Sequence, residues 1–219
     1  AIAAALVAGV VVPVSSGIGG GGFALVYDPR TKATTILDFR ETAPKALDPE
    51  ALQNKDAARG GWVGTPGEVA GLVELHARWG KRPFAENVNE AATFAEKGYG
   101  ASPHMAKVMK RFAPYIEKAG IGPRLPMDGR TVTARELGAT LRTIATRGRA
   151  GFYEGRVAES FVATARKVGS TLTMDDFAAY KVIERAPLRA SWDGGFEILT
   201  MPPPSAGGLT VLELLGSYT

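Results

Sequence analysis

The chain has 219 residues, 45% apolar and 22% charged, with a formal net charge of +4. This is the composition of a folded globular protein with a sizeable core, and it excludes a disordered chain. The basic residues are scattered, the densest group (Lys107, Lys110, Arg111) lying on one helix face, so the charge suits anionic small molecules and not nucleic acid.

Ala1 to Val14 is uncharged and mostly apolar. It is shorter than the ~18 residues a membrane span needs, and Pro13 and a glycine run close it. It also lacks the basic start of a signal peptide. It predicts a buried helix entered mid-element, in a fragment or processed product. Gly22 to Tyr27 and Thr34 to Phe39 are β-prone runs joined by Asp28-Pro29-Arg30-Thr31-Lys32, a hairpin connection.

From Pro66 the apolar period becomes helical, through Val69, Leu72, Val73, Leu75 and Trp79 to Gly80, with Pro66 at the first helical position. Pro83 starts a second helix that Gly98 closes, and a third runs from Pro103 to Lys118. Gly120 to Arg130 reads as a loop. Thr133 with Glu136 reads as a capping box for a helix ending at Gly148. A further helix spans Gly155 to Val168, and Thr173 with Asp176 marks another start. Leu188 to Ser191 and Phe196 to Met201 read as strands about Asp193-Gly194-Gly195. The Pro202-Pro203-Pro204 turn then feeds a helix from Leu209 to Leu215. The order predicts one domain over 1–219, an α+β protein with a helical insert at about 66–180 between two hairpins that share one sheet.

No cysteine occurs, which excludes a thiol nucleophile, thiolate metal sites and disulfides within the chain. The two histidines, His76 and His104, sit in helical patterns without metal-ligand spacing and read as surface residues, so no metal site is expected.

Chemistry concentrates in two segments, Ser15-Ser16-Gly17-Ile18-Gly19-Gly20-Gly21-Gly22-Phe23 and Asp38-Phe39-Arg40-Glu41-Thr42-Ala43-Pro44. Four consecutive glycines suit a backbone that passes close to another chain segment. Gly17, Gly19 and Gly22 satisfy a dinucleotide fingerprint, but that motif needs a helix after the glycines, and a strand pattern follows here. Arg40 offers a fixed fork for a carboxylate. Its other reading is a structural ion pair with Asp38 or Glu41. Glu41 in turn either orients Arg40 or is a surface acid. The proline triplet reads as a packing turn, or alternatively as a pocket rim.

These two segments, with Pro66-Gly67-Glu68-Val69-Ala70-Gly71, Leu172-Thr173-Met174-Asp175-Asp176, Ala179-Tyr180 and Met201-Pro202-Pro203-Pro204-Ser205, resemble the large subunit of γ-glutamyltransferases in order and spacing. The resemblance implies a four-layer αββα sandwich of the N-terminal-nucleophile hydrolase type, this chain supplying the large-subunit part. It implies a precursor that cuts itself in two, with the nucleophilic threonine opening a partner small subunit. No catalytic residue is therefore expected in this chain, and Thr219 is not offered as one. Arg40 takes the family's place for binding the α-carboxylate of a γ-glutamyl donor such as glutathione, whose γ-glutamyl group passes to amino acids, peptides or water. No cofactor is implied, and the location implied is periplasmic or secreted. The sequence departs from the family at Ser205-Ala206, where two serines are common, and at Val12-Pro13-Val14, where an acid often precedes the proline. A glutaryl-cephalosporin-type acylase of the same fold and a non-catalytic amino-acid-binding module are the alternatives.

Overall fold

In the computed structural model, which describes residues 1–53, 59–118 and 131–217, the first apolar run forms helix α1 (Ile2–Val11), with Leu6, Gly9 and Val10 turned inward. Strands β1 (Gly22–Asp28) and β2 (Ala33–Phe39) make the expected antiparallel hairpin, in register from Gly22 opposite Phe39 to Asp28 opposite Ala33. Asp28 steadies the connection by accepting from the Arg30 backbone N–H at 2.9 Å, a bond short acidic side chains make in turns.

Helices α2 (Glu68–Trp79) and α3 (Phe84–Lys97) follow, then a two-residue strand β3 (Tyr99–Gly100) and helix α4 (Pro103–Lys118). Strand β4 (Thr131–Val132) pairs with β3. The loop expected from Gly120 to Arg130, and Thr219, lie outside the described residues. Helices α5 (Arg135–Arg147), α6 (Ala150–Tyr153), α7 (Gly155–Lys167) and α8 (Met174–Ala179) lead to strands β5 (Ile183–Arg185), β6 (Leu188–Trp192) and β7 (Phe196–Thr200), and to helix α9 (Ala206–Gly216). The mixture is α+β, the class the order of the elements predicts.

Three expectations need correction. Pro66 lies outside α2, because the Gly67 and Glu68 amides both donate to the Gly20 carbonyl and this docking sets the helix start. Thr133 does not cap α5. Ala134 is the N-cap, and its N–H is bonded at 2.7 Å to the Ala95 carbonyl, so a tertiary contact places the first turn one residue later. The two hairpins do not share a sheet among the described residues. Strand β5 takes the free edge of β2, pairing Ile36 with Arg185 and Asp38 with Ile183, while β6 and β7 pair separately. Pro187, lacking an N–H for the ladder, stands between β5 and β6 where the chain leaves the first sheet.

The core follows from small residues. Val88, Ala91, Ala92 and Ala95 form the wholly buried face of α3, and α5 closes on the same cluster through Leu141 and Ile144. Arg142 fastens the pair from its rim, donating to Glu96 at 3.0 and 2.7 Å and to Asn89 at 2.7 Å. An aromatic group of Phe152, Tyr153 and Phe177 completes the core beside α8.

The capping box expected at Thr173 is present and has a second function. Asp176 accepts from the Thr173 N–H at 2.8 Å and hydroxyl at 2.7 Å, and its other oxygen accepts from the Lys45 N–H at 3.0 Å, 131 residues away in sequence. Burial pushes this carboxyl up, but the bonds from Lys45 and Thr173 outweigh it and hold the pKa below the usual aspartate value. Asp176→Ala in the intact protein should cost about 2–4 kcal/mol in urea unfolding, since two backbone donors lose a charged acceptor. With the folded pKa depressed, the wild-type advantage is present above the unfolded value and lost as pH falls through the folded one. A substitution without effect at neutral pH would refute this account.

Candidate functional site

The glycine loop makes a backbone wall. The Gly20 carbonyl accepts from Gly67 N–H at 2.8 Å and Glu68 N–H at 3.0 Å, so the opening amides of α2 rest on it. A side-chain carbon on Gly21 would collide with the Phe39 carbonyl, and one on Gly67 with that carbonyl and the Tyr180 hydroxyl. Loop, strand exit and helix entry thus touch main chain to main chain, which only glycine permits. The loop runs on into β1, so the helix a dinucleotide fingerprint requires is not there.

Arg40 leaves the end of β2 over this wall. The buried Asp38 carboxylate accepts from Arg40 N–H at 3.0 Å and from Arg185 Nε on β5 at 2.7 Å. Asp38 is therefore not the guanidinium partner of Arg40. Glu41 is, with Arg40 Nε 3.3 Å from its Oε2. The Arg40 side chain is 56% exposed and that of Glu41 33%. A pair this open contributes about 0–1 kcal/mol. Among the described residues, no hydrogen bond engages the two terminal amino groups of Arg40. The guanidinium is held at its inner edge and presents its outer edge to solvent.

Two hollows flank this ion pair. One, of 410 Å³, is walled by Ser15, Ser16 and the glycines, with Arg40, Glu41 and Glu68 as its charged groups. The other, of 590 Å³, runs past Thr42 and Pro44 to Leu47, Leu52 and Trp62. A larger groove of 840 Å³, with Thr140, Thr143, Phe152 and Phe161 among its lining, lies between α5 and α7 and lacks Arg40. The smaller hollows both include Arg40, a cation whose planar fork suits a carboxylate, and they form the candidate site.

Glu68 is the site residue that sequence reasoning passed over, although its motif was quoted. Its carboxyl is half-buried, and burial, with the Glu41 charge second, raises its pKa above the usual glutamate value. Tyr180 and Arg185 were also missed. Both act across long sequence separations, Tyr180 donating to the Arg40 carbonyl at 2.9 Å. The proline triplet is a turn before α9, closed by Ser205 N–H on the Pro202 carbonyl at 3.1 Å, and it lines neither hollow. His76 bonds the Arg82 carbonyl from α2, and His104 is exposed on α4. Among the described residues no group of three potential ligands is placed to hold a metal ion, and no helix is long and apolar enough to cross a membrane.

Comparison with known proteins gives this geometry a context. The family model described as gamma-glutamyltranspeptidase matches residues 1–218. The glutathione hydrolase proenzyme of Bacillus subtilis (strain 168) is 32% identical over 218 residues, covering 93% of this chain and 37% of that protein. The gamma-glutamyltranspeptidase from Pseudomonas nitroreducens, solved in complex with L-DON, superposes with a TM-score of 0.89 at 30% identity, over 98% of this chain and 67% of that one. The cephalosporin acylase from Bacillus halodurans gives a TM-score of 0.80 at 28% identity, over 93% and 41%. The chain spans about a third of the length of the curated relatives it matches.

The state of Glu68 has a measurable consequence. Its folded pKa is raised, so its ionisation opposes folding as pH rises from the unfolded glutamate value of about 4.3 through the folded one. Glu68→Gln should therefore raise the thermal midpoint at about pH 8, with the gain disappearing near about pH 4. A gain that is constant with pH would show that the carboxyl carries no such strain.

Proposed function

Since the chain belongs to the gamma-glutamyltranspeptidase family, we propose that it forms the donor-binding wall of an enzyme that cleaves γ-glutamyl amides such as glutathione and transfers the γ-glutamyl group to amino acids, peptides or water. The observation that carries this reading is Arg40, anchored by its backbone and by Glu41, with its terminal amino groups open beside a 410 Å³ hollow. A guanidinium edge of this kind takes an α-carboxylate through two parallel charge-assisted bonds. Glu41 lies at the Nε side and leaves the two terminal amino groups to a ligand.

In the mechanism proposed, the nucleophile is an N-terminal threonine on a partner small subunit. Its hydroxyl oxygen bonds to the γ-carbonyl carbon, with its own α-amine taking the proton. Collapse of the tetrahedral intermediate breaks the amide C–N bond, and the proton passes to the departing amine. Water or an acceptor amine then cleaves the acyl-enzyme. This chain contributes placement: Arg40 holds the donor so that the carbonyl stands at attack distance, where orientation alone is worth several kcal/mol. A periplasmic or secreted location belongs to the same proposal.

The similarity to a cephalosporin acylase favours a second reading, hydrolysis of a glutaryl amide. The intact enzyme's preference between γ-glutamyl-p-nitroanilide and a glutaryl-cephalosporin distinguishes the two.

Arg40→Ala in the intact enzyme should lower kcat/KM for γ-glutamyl-p-nitroanilide about 100-fold or more, the weight of two charge-assisted hydrogen bonds. Arg40→Lys should recover only part of it, because an ammonium lacks the planar fork. Unchanged donor kinetics in Arg40→Ala would remove Arg40 from the site.

A further inference from the structure

Arg40 is exposed at its tip, yet its backbone is fixed on every side. Its N–H goes to Asp38, its carbonyl accepts from the Tyr180 hydroxyl at 2.9 Å, and Thr42 pairs with Thr65 through bonds of 3.2 and 2.8 Å. Tyr180 stands at the end of α8, 140 residues from Arg40 in sequence.

The tyrosine is itself buttressed. Its ring stacks on Tyr153 with centroids 5.7 Å apart and planes 13° from parallel. The Arg149 guanidinium carbon lies 4.4 Å from the Tyr153 ring centroid, and an Arg149 amino group donates to the Tyr180 carbonyl at 2.6 Å. The Tyr153 hydroxyl donates to the Pro66 carbonyl at 2.7 Å, just before α2. Two stacked phenols on the helical side therefore hold the two main-chain segments that bound the site, one at the strand exit and one at the helix entry. Both tyrosines are buried. Burial pushes both hydroxyls above the ordinary tyrosine pKa, so they remain donors over the whole working pH range.

A core that only needed filling would be served by two phenylalanines. Here each hydroxyl instead meets a main-chain carbonyl at the site's edge, and the Tyr180 bond lands on the residue whose side chain faces the hollow. We infer that Tyr180, backed by Tyr153 and Arg149, is a positioning residue for donor recognition: it fixes the backbone from which the Arg40 fork projects. The inference rests on the donor-binding role proposed for Arg40. Preorganisation of this sort tightens binding by reducing what must be ordered when the ligand arrives.

The test is a double-mutant cycle in the intact enzyme with γ-glutamyl-p-nitroanilide. Tyr180→Phe, which removes one oxygen and keeps the stack, should raise KM about three- to tenfold, the weight of one neutral hydrogen bond. kcat should stay within about twofold, because the acylation chemistry is untouched. In an Arg40→Ala background the same change should have no further effect on kcat/KM. Should Tyr180→Phe fold poorly, Arg149→Lys, which loses the flat cation over Tyr153, should show the same KM effect and the same dependence on Arg40. An unchanged KM, a fall in kcat alone, or a loss that persists without Arg40 would overturn the positioning role. The two readings fail separately. A silent Arg40→Ala removes the anchor itself, whereas an impaired Arg40→Ala with a silent Tyr180→Phe removes only this inference.

Discussion

The carbonyl of Gly20 receives both opening amides of α2, and the rest of the site is arranged around that contact. A helix start leaves four amides without intrahelical partners. Two of them are satisfied here by the carbonyl of Gly20, in a run of glycines without side chains to keep the helix away. Because the glycines let loop and helix meet, the exit of β2 is pressed against both, and Phe39 packs on Gly71 where any larger residue would collide with its ring. Arg40 is the next residue along. Its position is thus a consequence of main-chain contacts between three segments, before any charge is considered.

Charge then separates two roles that the sequence presents side by side. Asp38 and Glu41 both neighbour Arg40, yet the buried acid takes Arg185 from the adjoining strand and the exposed one takes Arg40. A buried carboxylate depends on its partner, because losing it leaves an uncompensated buried charge, whereas an open pair is worth at most about 1 kcal/mol. The Asp38–Arg185 bond is accordingly a joint of the sheet. The Arg40–Glu41 pair holds the guanidinium too weakly to account for it as a structural element.

Much of the fold was legible because local pattern and tertiary role agree. The β1–β2 hairpin follows from two β-prone runs about a polar turn, and the α3 face of Val88, Ala91, Ala92 and Ala95 from helical spacing. The Thr173–Asp176 box was readable because both partners lie three residues apart. Errors arose where a distant contact overrode the local signal. Ala134 docks on Ala95 and moves the start of α5 past Thr133, and β5 pairs with β2 while the last hairpin, expected in the same sheet, pairs by itself. In the site, Arg40 stood out because an arginine between acids after an apolar run is locally unusual. The choice of Arg185 by Asp38 spans 147 residues, and the bond from Tyr180 to Arg40 spans 140. No window of sequence displays either.

These long-range bonds explain why a helical stretch stands between two halves of one small sheet. The connection from β2 to β5 exceeds 140 residues, far beyond what strand pairing requires. What it returns to the sheet is Arg185 for Asp38, Tyr180 for the Arg40 carbonyl and Tyr153 for the Pro66 carbonyl. Each of these bonds ends on the strand-to-loop corner or on the entry to α2. Tyr153 and Tyr180 both belong to the helical core and stack on each other, so the corner is fastened to that core. That core reaches the candidate site through two hydroxyls, which end on the Arg40 carbonyl and on the Pro66 carbonyl at the entry to α2.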